Sequence, residues 1–131
     1  MIFVDTGAWF AVVVPSDVNH AHAIAWLTAN REPLATSEYV LDEALTLLRA
    51  RGFPDQALDL GVDLLDNEVA QLHFLDETDV RATWEVFRQY QDKEWSFTDC
   101  SSKVLMERLG ITTAFAFDRH FRQFGSVRVV P

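Results

Sequence analysis

Short apolar runs alternate along the chain with segments in which apolar residues recur every three or four positions. The runs predict β-strands and the recurring spacing predicts amphipathic helices. We predict strands at residues 2–4, 34–36, 69–75, 113–117 and 127–130. Helices are predicted at residues 8–14, 19–29, 37–51, 54–65, about 76–90 and 98–109.

The alternation of strands with helices predicts an α/β fold, with three α/β/α layers around a mainly parallel sheet. The wholly apolar run 114–117 is typical of a central strand that is buried on both faces. No linker, repeat or low-complexity stretch interrupts the pattern. We therefore expect one domain over residues 1–131.

Composition narrows the possible partners. The net charge is −9, from 20 acidic residues against 11 Lys and Arg, which argues against a general electrostatic grip on nucleic acid or an anionic membrane.

Cys100 is the only cysteine, so neither an intrachain disulfide nor a cysteine metal cage can form, and a cytoplasmic location is expected. The apolar opening, residues 1–15, lacks a basic start and is interrupted by Asp5, so we interpret it as strand then helix rather than a signal peptide. No apolar stretch approaches the roughly 20 residues of a membrane span.

Four carboxylates, Asp5, Glu43, Asp99 and Asp118, stand where a strand ends or on the helix just after it. The carboxyl ends of parallel strands open onto one crevice, so these residues are expected to converge. Each also has a local alternative. Asp5 and Asp118 suit helix or turn caps, and Asp99 follows Ser96 at the spacing of a capping box.

Glu43 is distinguished from its neighbour Asp42 by helix geometry. At about 100° per residue, Glu43 falls at the edge of the apolar arc of its helix, whereas Asp42 points away from it. An ordinary flanking glutamate remains the alternative. If all four acids converge, their mutual repulsion requires a counter-ion, and ligands that are oxygen only favour Mg²⁺ or Mn²⁺ over Zn²⁺.

With these positions placed, the sequence resembles the PIN-domain ribonucleases, and within them the VapC-like toxins of type II toxin-antitoxin pairs. The resemblance covers essentially the whole chain, in order and in spacing. It is carried by FVDTGAW (3–9), TSEYVLDE (36–43), SFTDCSS (96–102) and AFDRHF (116–121).

The resemblance implies metal-dependent cleavage of single-stranded regions of RNA by a domain that often dimerises, with a cognate antitoxin as inhibitor. It implies that Asp5 and Asp99 contact the metal most directly, and that Glu43 and Asp118 complete the site. Thr6 matches the family's supporting hydroxyl residue, and Thr98 is a second candidate. A metal-activated water would attack the phosphodiester, with Glu43 or Asp118 as the base.

An acidic nuclease still has to hold a polyanion, and local basic groups are the candidates. They are Lys103, Arg119, His120 and Arg122, whose alternative is a solvated face. We expect core or interface positions for the tryptophans, Trp9, Trp26, Trp84 and Trp95, rather than base-stacking platforms. Trp95, in the polar loop before Asp99, is the best candidate for an exception that stacks on a base.

The remaining chemically active side chains have structural interpretations. His20 and His22, two residues apart near a helix start, point in different directions and are expected on the surface. His73 is expected to be partly buried with its hydrogen bonds satisfied. Cys100 is expected to be a small packing residue rather than a nucleophile.

Rival functions are a PIN-like binding module without catalysis and, as a poorer fit, a Mg²⁺-binding receiver-like signalling domain. The receiver needs an acidic pair after the first strand and a lysine after the last, and the chain has neither. A phosphatase of the Asp-x-Asp type fails because Gly7 occupies the position of the second acid. Metal-dependent RNA cleavage discriminates the nuclease from the silent module.

Overall fold

The computed structural model describes all 131 residues as five strands, six α-helices and one 3₁₀ helix. The strands are β1 (Ile2–Val4), β2 (Leu34–Ser37), β3 (Gln71–His73), β4 (Thr113–Phe115) and β5 (Arg128–Val130). The helices are α1 (Thr6–Val13), α2 (His20–Ala29), α3 (Glu38–Ala50), α4 (Pro54–Leu65), α5 (Glu77–Gln89) and α6 (Phe97–Leu109), and the 3₁₀ helix is Arg119–Phe124.

All five strands form one parallel sheet in the order β3-β2-β1-β4-β5, flanked by the helices. This confirms the predicted α/β architecture. β1 lies at the centre, with Phe3 opposite Ala35 of β2 and Ala114 of β4. The chain runs outward from β1 to β2 and β3, then returns to the other side of β1 with β4. The strand order therefore reverses between β1 and β4, which is where open α/β sheets place their ligand crevice.

The predicted elements are all present, and three of them have an end that differs from the predicted one by two residues or more. β4 stops at Phe115 rather than at residue 117, and only the Ala116 N–H continues the ladder, to the carbonyl oxygen of Val130. β3 is an edge strand that pairs with β2 alone, so it is shorter than the predicted run 69–75. α1 begins at Thr6, directly after Asp5, rather than at residue 8.

One hydrophobic core fills the space between sheet and helices. Phe3 and Val4 of β1 and Phe115 of β4 are fully buried at its centre, as expected for internal parallel strands. No helix of the structure is both long and apolar enough to cross a membrane. The rigid central strands fix the backbone at the edge where the predicted acids lie.

Candidate active site

Asp5 lies at the end of the central strand and immediately before α1. Its backbone N–H donates to the carbonyl oxygen of Phe115, which ties the end of β1 to the end of β4. The residue is only 4% exposed. It occupies the N-cap position of α1, yet its side chain makes no capping hydrogen bond. The local alternative, an ordinary helix cap, therefore does not account for this carboxylate.

The surroundings of Asp5 oppose its negative charge. Burial, followed by the charge of Asp99, raises the pKa of Asp5 from 3.8 to about 8, with smaller contributions from Glu43 and Asp118. The backbone N–H of Thr6 acts in the opposite sense. A buried carboxylate near other carboxylates is costly to ionise unless a cation neutralises it.

Asp99 is held by two partners through one of its oxygens. Its Oδ2 accepts from the Ser96 backbone N–H at 3.0 Å and lies 2.8 Å from His120 Nδ1, while its backbone N–H donates to Ser96 Oγ. The capping box predicted from the Ser96 spacing is therefore present. Oδ1 of Asp99 accepts no hydrogen bond, so the cap leaves one oxygen free for a ligand.

Asp118 caps the 3₁₀ helix and also contacts the histidine that contacts Asp99. Its Oδ1 accepts from the backbone N–H of His120 at 2.6 Å, which caps the 3₁₀ helix, and lies 3.1 Å from His120 Nδ1. His120 thus stands between Asp99 and Asp118. Because an ionised carboxylate only accepts, Nδ1 is the donor in these contacts.

Glu43 lies in the second turn of α3, which begins where β2 ends. It is partly buried, whereas its neighbour Asp42 is exposed, as the helix geometry predicts. The side chain of Ser37 accepts from the Val40 N–H and fixes the start of this helix. The edge of the core therefore directs Glu43 toward the other acids.

The four predicted acids line one cleft of about 340 Å³ at the carboxyl edge of the sheet. Glu94 lines the same cleft and was not predicted, because it is one exposed acid in a polar loop with no pattern around it. The other lining residues are Thr6, Gly7, Leu47, Ser96 and His120. A larger cleft of about 450 Å³, between α3 and α4, is mostly apolar and has no acidic residue in its lining.

The donor groups of this acidic cleft suit a hard divalent cation. Its carboxylates supply only oxygen, and His120 is the one basic side chain in the lining. Thr6 Oγ1 is buried and has no hydrogen-bond partner, so a polar atom there is also unsatisfied. In this structure, no group of three or more acidic, histidine or cysteine side chains is close enough together to bind a metal ion. The residues fit Mg²⁺ or Mn²⁺, provided that the side chains close around it.

The predicted RNA-binding residues do not form one group. Arg119 is exposed at the rim and pairs with Glu94 at 2.8 Å, and Arg122 is exposed on the 3₁₀ helix. Lys103 pairs with Glu107 and lines a different cleft, so it does not lie beside the acids. Thr98 is also absent from the lining, and its carbonyl accepts from Ser101 and Ser102 instead.

One tryptophan and one histidine differ from expectation: Trp84 is 53% exposed and lies outside the core, and His73 lacks the hydrogen bond expected for it. Trp95 lies in the core, as expected for the tryptophans in general, and is not the exception that stacks on a base. Trp95 is 5% exposed, donates from Nε1 to Gln123 and packs edge-on against Phe124, so it belongs to the core and offers no face to a base. His73 is partly buried as expected, but its Nε2 has no hydrogen-bond partner.

The other structural interpretations agree with the structure. His22 is exposed, and His20 Nδ1 contacts the Ala11 carbonyl at 2.7 Å, so the two do not form a metal pair. Cys100 is buried, and burial raises the pKa of its thiol to about 11, which disfavours a nucleophilic thiolate.

The fold is an all-parallel α/β sheet with an acidic cleft at the strand-order reversal, where open α/β sheets bind their ligands. The PIN-domain family model matches residues 2–127, and the chain belongs to that family. The resemblance to VapC-like toxins is thereby confirmed, with relatives that span the whole chain.

Named relatives and solved structures agree with this assignment. The chain is 36% identical to the 23S rRNA-specific endonuclease VapC20 of Mycobacterium tuberculosis, over 100% of this chain and 99% of that protein. It is 29% identical to a VapC ribonuclease of Archaeoglobus fulgidus, over 90% of this chain and 77% of that protein. The crystal structure of M. tuberculosis VapC20, a sarcin-ricin loop cleaving toxin, superposes with a TM-score of 0.93 at 30% identity, with full coverage of both chains. FitAcB from Neisseria gonorrhoeae shares the fold, with a TM-score of 0.72 at 19% identity over 100% of this chain and 97% of that one.

Proposed function

We propose that the protein is an endoribonuclease, dependent on Mg²⁺ or Mn²⁺, that cleaves RNA phosphodiester bonds by hydrolysis within one domain spanning residues 1–131. The observation that carries the proposal is the buried carboxylate of Asp5, which shares a cleft with four further acids and has no lysine or arginine beside it. The names of its relatives, an rRNA endonuclease and a ribonuclease, support RNA as the substrate.

The position of each acid in the cleft would determine its role in binding the cation or activating water. Asp5 and Asp99 would hold the cation most directly, because Asp5 is buried without a partner and Asp99 keeps Oδ1 free. Glu43 and Asp118 would complete the site, and either one could orient or deprotonate the attacking water. When bound, the cation would neutralise the acids, polarise the phosphoryl oxygen and lower the pKa of water.

The side chains and backbone groups around the acids would hold the carboxylates in position. Ser96 and His120 fix the orientation of Asp99 through Oδ2, and the same imidazole holds Asp118. Outer groups of this kind orient a metal-binding carboxylate and keep it in one rotamer. His120 therefore acts here as a positioning residue rather than as an RNA contact. Thr6, with its unsatisfied hydroxyl, is placed to support the site beside Asp5.

We further propose that the protein is the toxin of a toxin-antitoxin pair, acts in the cytoplasm and forms a homodimer. The similarity to VapC toxins over the whole chain supports the pairing with an antitoxin. The acidic cleft predicts that the antitoxin inserts an Arg or Lys where the cation would sit. The net charge of −9 would assist the encounter with a basic partner.

Cleavage of total RNA tests the proposed activity. The purified protein is incubated with RNA with Mg²⁺ and with excess EDTA, beside the Asp5→Ala and Asp99→Ala variants, and the new RNA ends are mapped. We expect discrete cuts by the wild type with Mg²⁺, and a loss of at least about 100-fold in either variant, since each would remove a metal ligand. Asp42→Ala, one residue from Glu43 but exposed, is the matched control and should cleave normally.

Two results would refute the proposal. One is full cleavage by Asp5→Ala or in EDTA, because neither should support hydrolysis. The other is RNA binding without cleavage by the wild type in Mg²⁺ and in Mn²⁺. That second result would identify the protein as the silent binding module.

A further inference from the structure

Four aromatic side chains form a row that leads from the surface of α5 to the first turns of α6 and α3. We call Trp84, Phe87, Phe97 and Tyr39 the aromatic row. Successive ring centroids are 6.2 Å apart from Trp84 to Phe87, 5.8 Å from Phe87 to Phe97 and 6.1 Å from Phe97 to Tyr39. Trp84 is 53% exposed and Phe87 is 41% exposed. The outer half of the row thus presents its rings to solvent.

The inner half of the row adjoins the candidate active site through the backbone. Phe97 follows Ser96, which lines the acidic cleft, and stands two residues before Asp99. Tyr39 lies on α3 one helical turn before Glu43. The inner end of the row therefore lies on the two helices that carry Asp99 and Glu43, although its rings do not line the cleft itself.

Charges beside the row suit a phosphate backbone better than those on the other exposed apolar face. Arg81 and Arg88 lie one turn before and after Trp84 on α5. Each is held only by an exposed pair, with Glu77 and with Glu85, and such pairs contribute little free energy and exchange readily.

The exposed apolar face of α4 provides the contrast. Leu58, Val62 and Leu65 are more than half exposed there, but they carry no ring. The helix bears Asp55, Asp59 and Asp63 and no basic residue. That face offers neither a stacking surface nor a cation to RNA.

We propose that the aromatic row is a stacking track for the bases of single-stranded RNA, which it guides into the acidic cleft, with Trp84 as the outermost platform. The inference rests on the proposed function and names how that site holds its substrate. A protein with a net charge of −9 lacks a general electrostatic hold on RNA. Stacking needs no charge, because every base has a π face, and it is favourable for each base that is stacked.

Binding of matched strands with and without bases tests the track. The fluorescence anisotropy of a labelled oligoadenylate of roughly 12 nucleotides, and of an abasic strand of equal length and charge, is measured in EDTA. The proteins are the wild type, Trp84→Ala, Trp84→Phe and Leu58→Ala. Trp84→Ala should bind oligoadenylate at least about fivefold more weakly and the abasic strand as the wild type does. Trp84→Phe should retain most of the binding, and Leu58→Ala all of it.

Kinetics and sedimentation complete the test. With Mg²⁺, Trp84→Ala should raise the KM for single-stranded RNA and leave kcat near the wild-type value, because Trp84 lies away from the reacting bond. The inference is overturned by unchanged oligoadenylate binding, or by an equal loss for the abasic strand. It is also overturned if Trp84→Ala converts a dimer into a monomer, because the row would then be an interface between copies. If the wild type binds bases through Trp84 but never cleaves, the track stands and the proposed activity fails.

Discussion

Three buried aspartates, Asp5, Asp79 and Asp99, stand at helix starts in this protein, and the comparison of Asp79 with Asp5 is the sharpest. Asp79, 3% exposed at the start of α5, accepts from the Asp76 backbone N–H and lies 2.8 Å from Arg108 Nε. Asp5, 4% exposed at the start of α1, makes no capping bond and is surrounded by other acids. The first arrangement holds α5 against α6, and the second leaves a charge unbalanced.

The difference separates a buried carboxylate that the protein compensates from one that it leaves without a partner. Burying an ionised carboxylate is costly unless a cation or hydrogen bonds compensate it. The protein supplies that compensation at Asp79 from its own side chains. At Asp5 it supplies further acids instead, and we propose that a divalent cation bound from solvent stabilises this arrangement.

Removing the arginine would make the two regions alike, and this has the largest expected effect on stability. In Arg108→Ala, the buried Asp79 loses its cation, and we expect the free energy of unfolding to fall by about 3 kcal/mol. That is the low end for a broken buried pair, since Arg108 is partly exposed. Urea denaturation measures the change, and the RNA cleavage rate of the folded variant should be unchanged.

A double variant separates two effects of Arg108→Ala: the unpaired buried charge of Asp79 and the loss of the arginine side chain itself. Asp79→Asn combined with Arg108→Ala should recover part of the loss, because no buried charge remains. Equal stability of the single and double variants would show that Asp79 needs no cation. The contrast with Asp5 would then lose its basis.

A substitution of His120 is expected to have a smaller effect, confined to the acidic cleft that contains Asp5. In His120→Ala, Asp99 and Asp118 lose a common hydrogen-bond donor. We expect cleavage to fall by about 10- to 100-fold, with raised demand for Mg²⁺ and little loss of stability. His120→Asn, which keeps a side-chain donor, should recover part of the activity. The Mg²⁺ dependence of the rate checks this, and an unchanged requirement would show that His120 does not position the acids.

The fold could be predicted from the sequence because its signals are local and repeated. Strand-like runs at residues 2–4 and 113–117 are apolar throughout, and the helix starts carry caps at Ser37, Asp76 and Ser96. The ends of β3 and β4 could not be predicted, because they depend on which neighbour each strand pairs with.

The convergence of the four acids could also be predicted, because parallel topology brings strand ends together. The partners of those acids could not. Glu94 and Ser96 reach the cleft from a loop, and the contact of His120 with Asp99 joins residues 21 positions apart. From the sequence, Trp95 is the best candidate for base stacking because it lies in a polar loop. It packs in the core against Tyr90 and Phe124 instead.

Thermal unfolding of the wild type and Asp5→Asn, in EDTA and in Mn²⁺, tests the central claim most directly. The pKa of Asp5 is about 8 in the folded protein against an ordinary 3.8, so its charge destabilises the metal-free fold increasingly as the pH rises between those values. In EDTA at about pH 8, Asp5→Asn should melt at least about 4 °C above the wild type, and the gap should close towards about pH 4.

Added Mn²⁺ should reverse that order at about pH 8, where Asp5 loses its proton in the folded protein. The wild type should then gain melting temperature as the cation binds the folded state, and Asp5→Asn should gain little. The account is contradicted if Mn²⁺ stabilises both proteins equally or neither. It is also contradicted if Asp5→Asn is the less stable protein in EDTA.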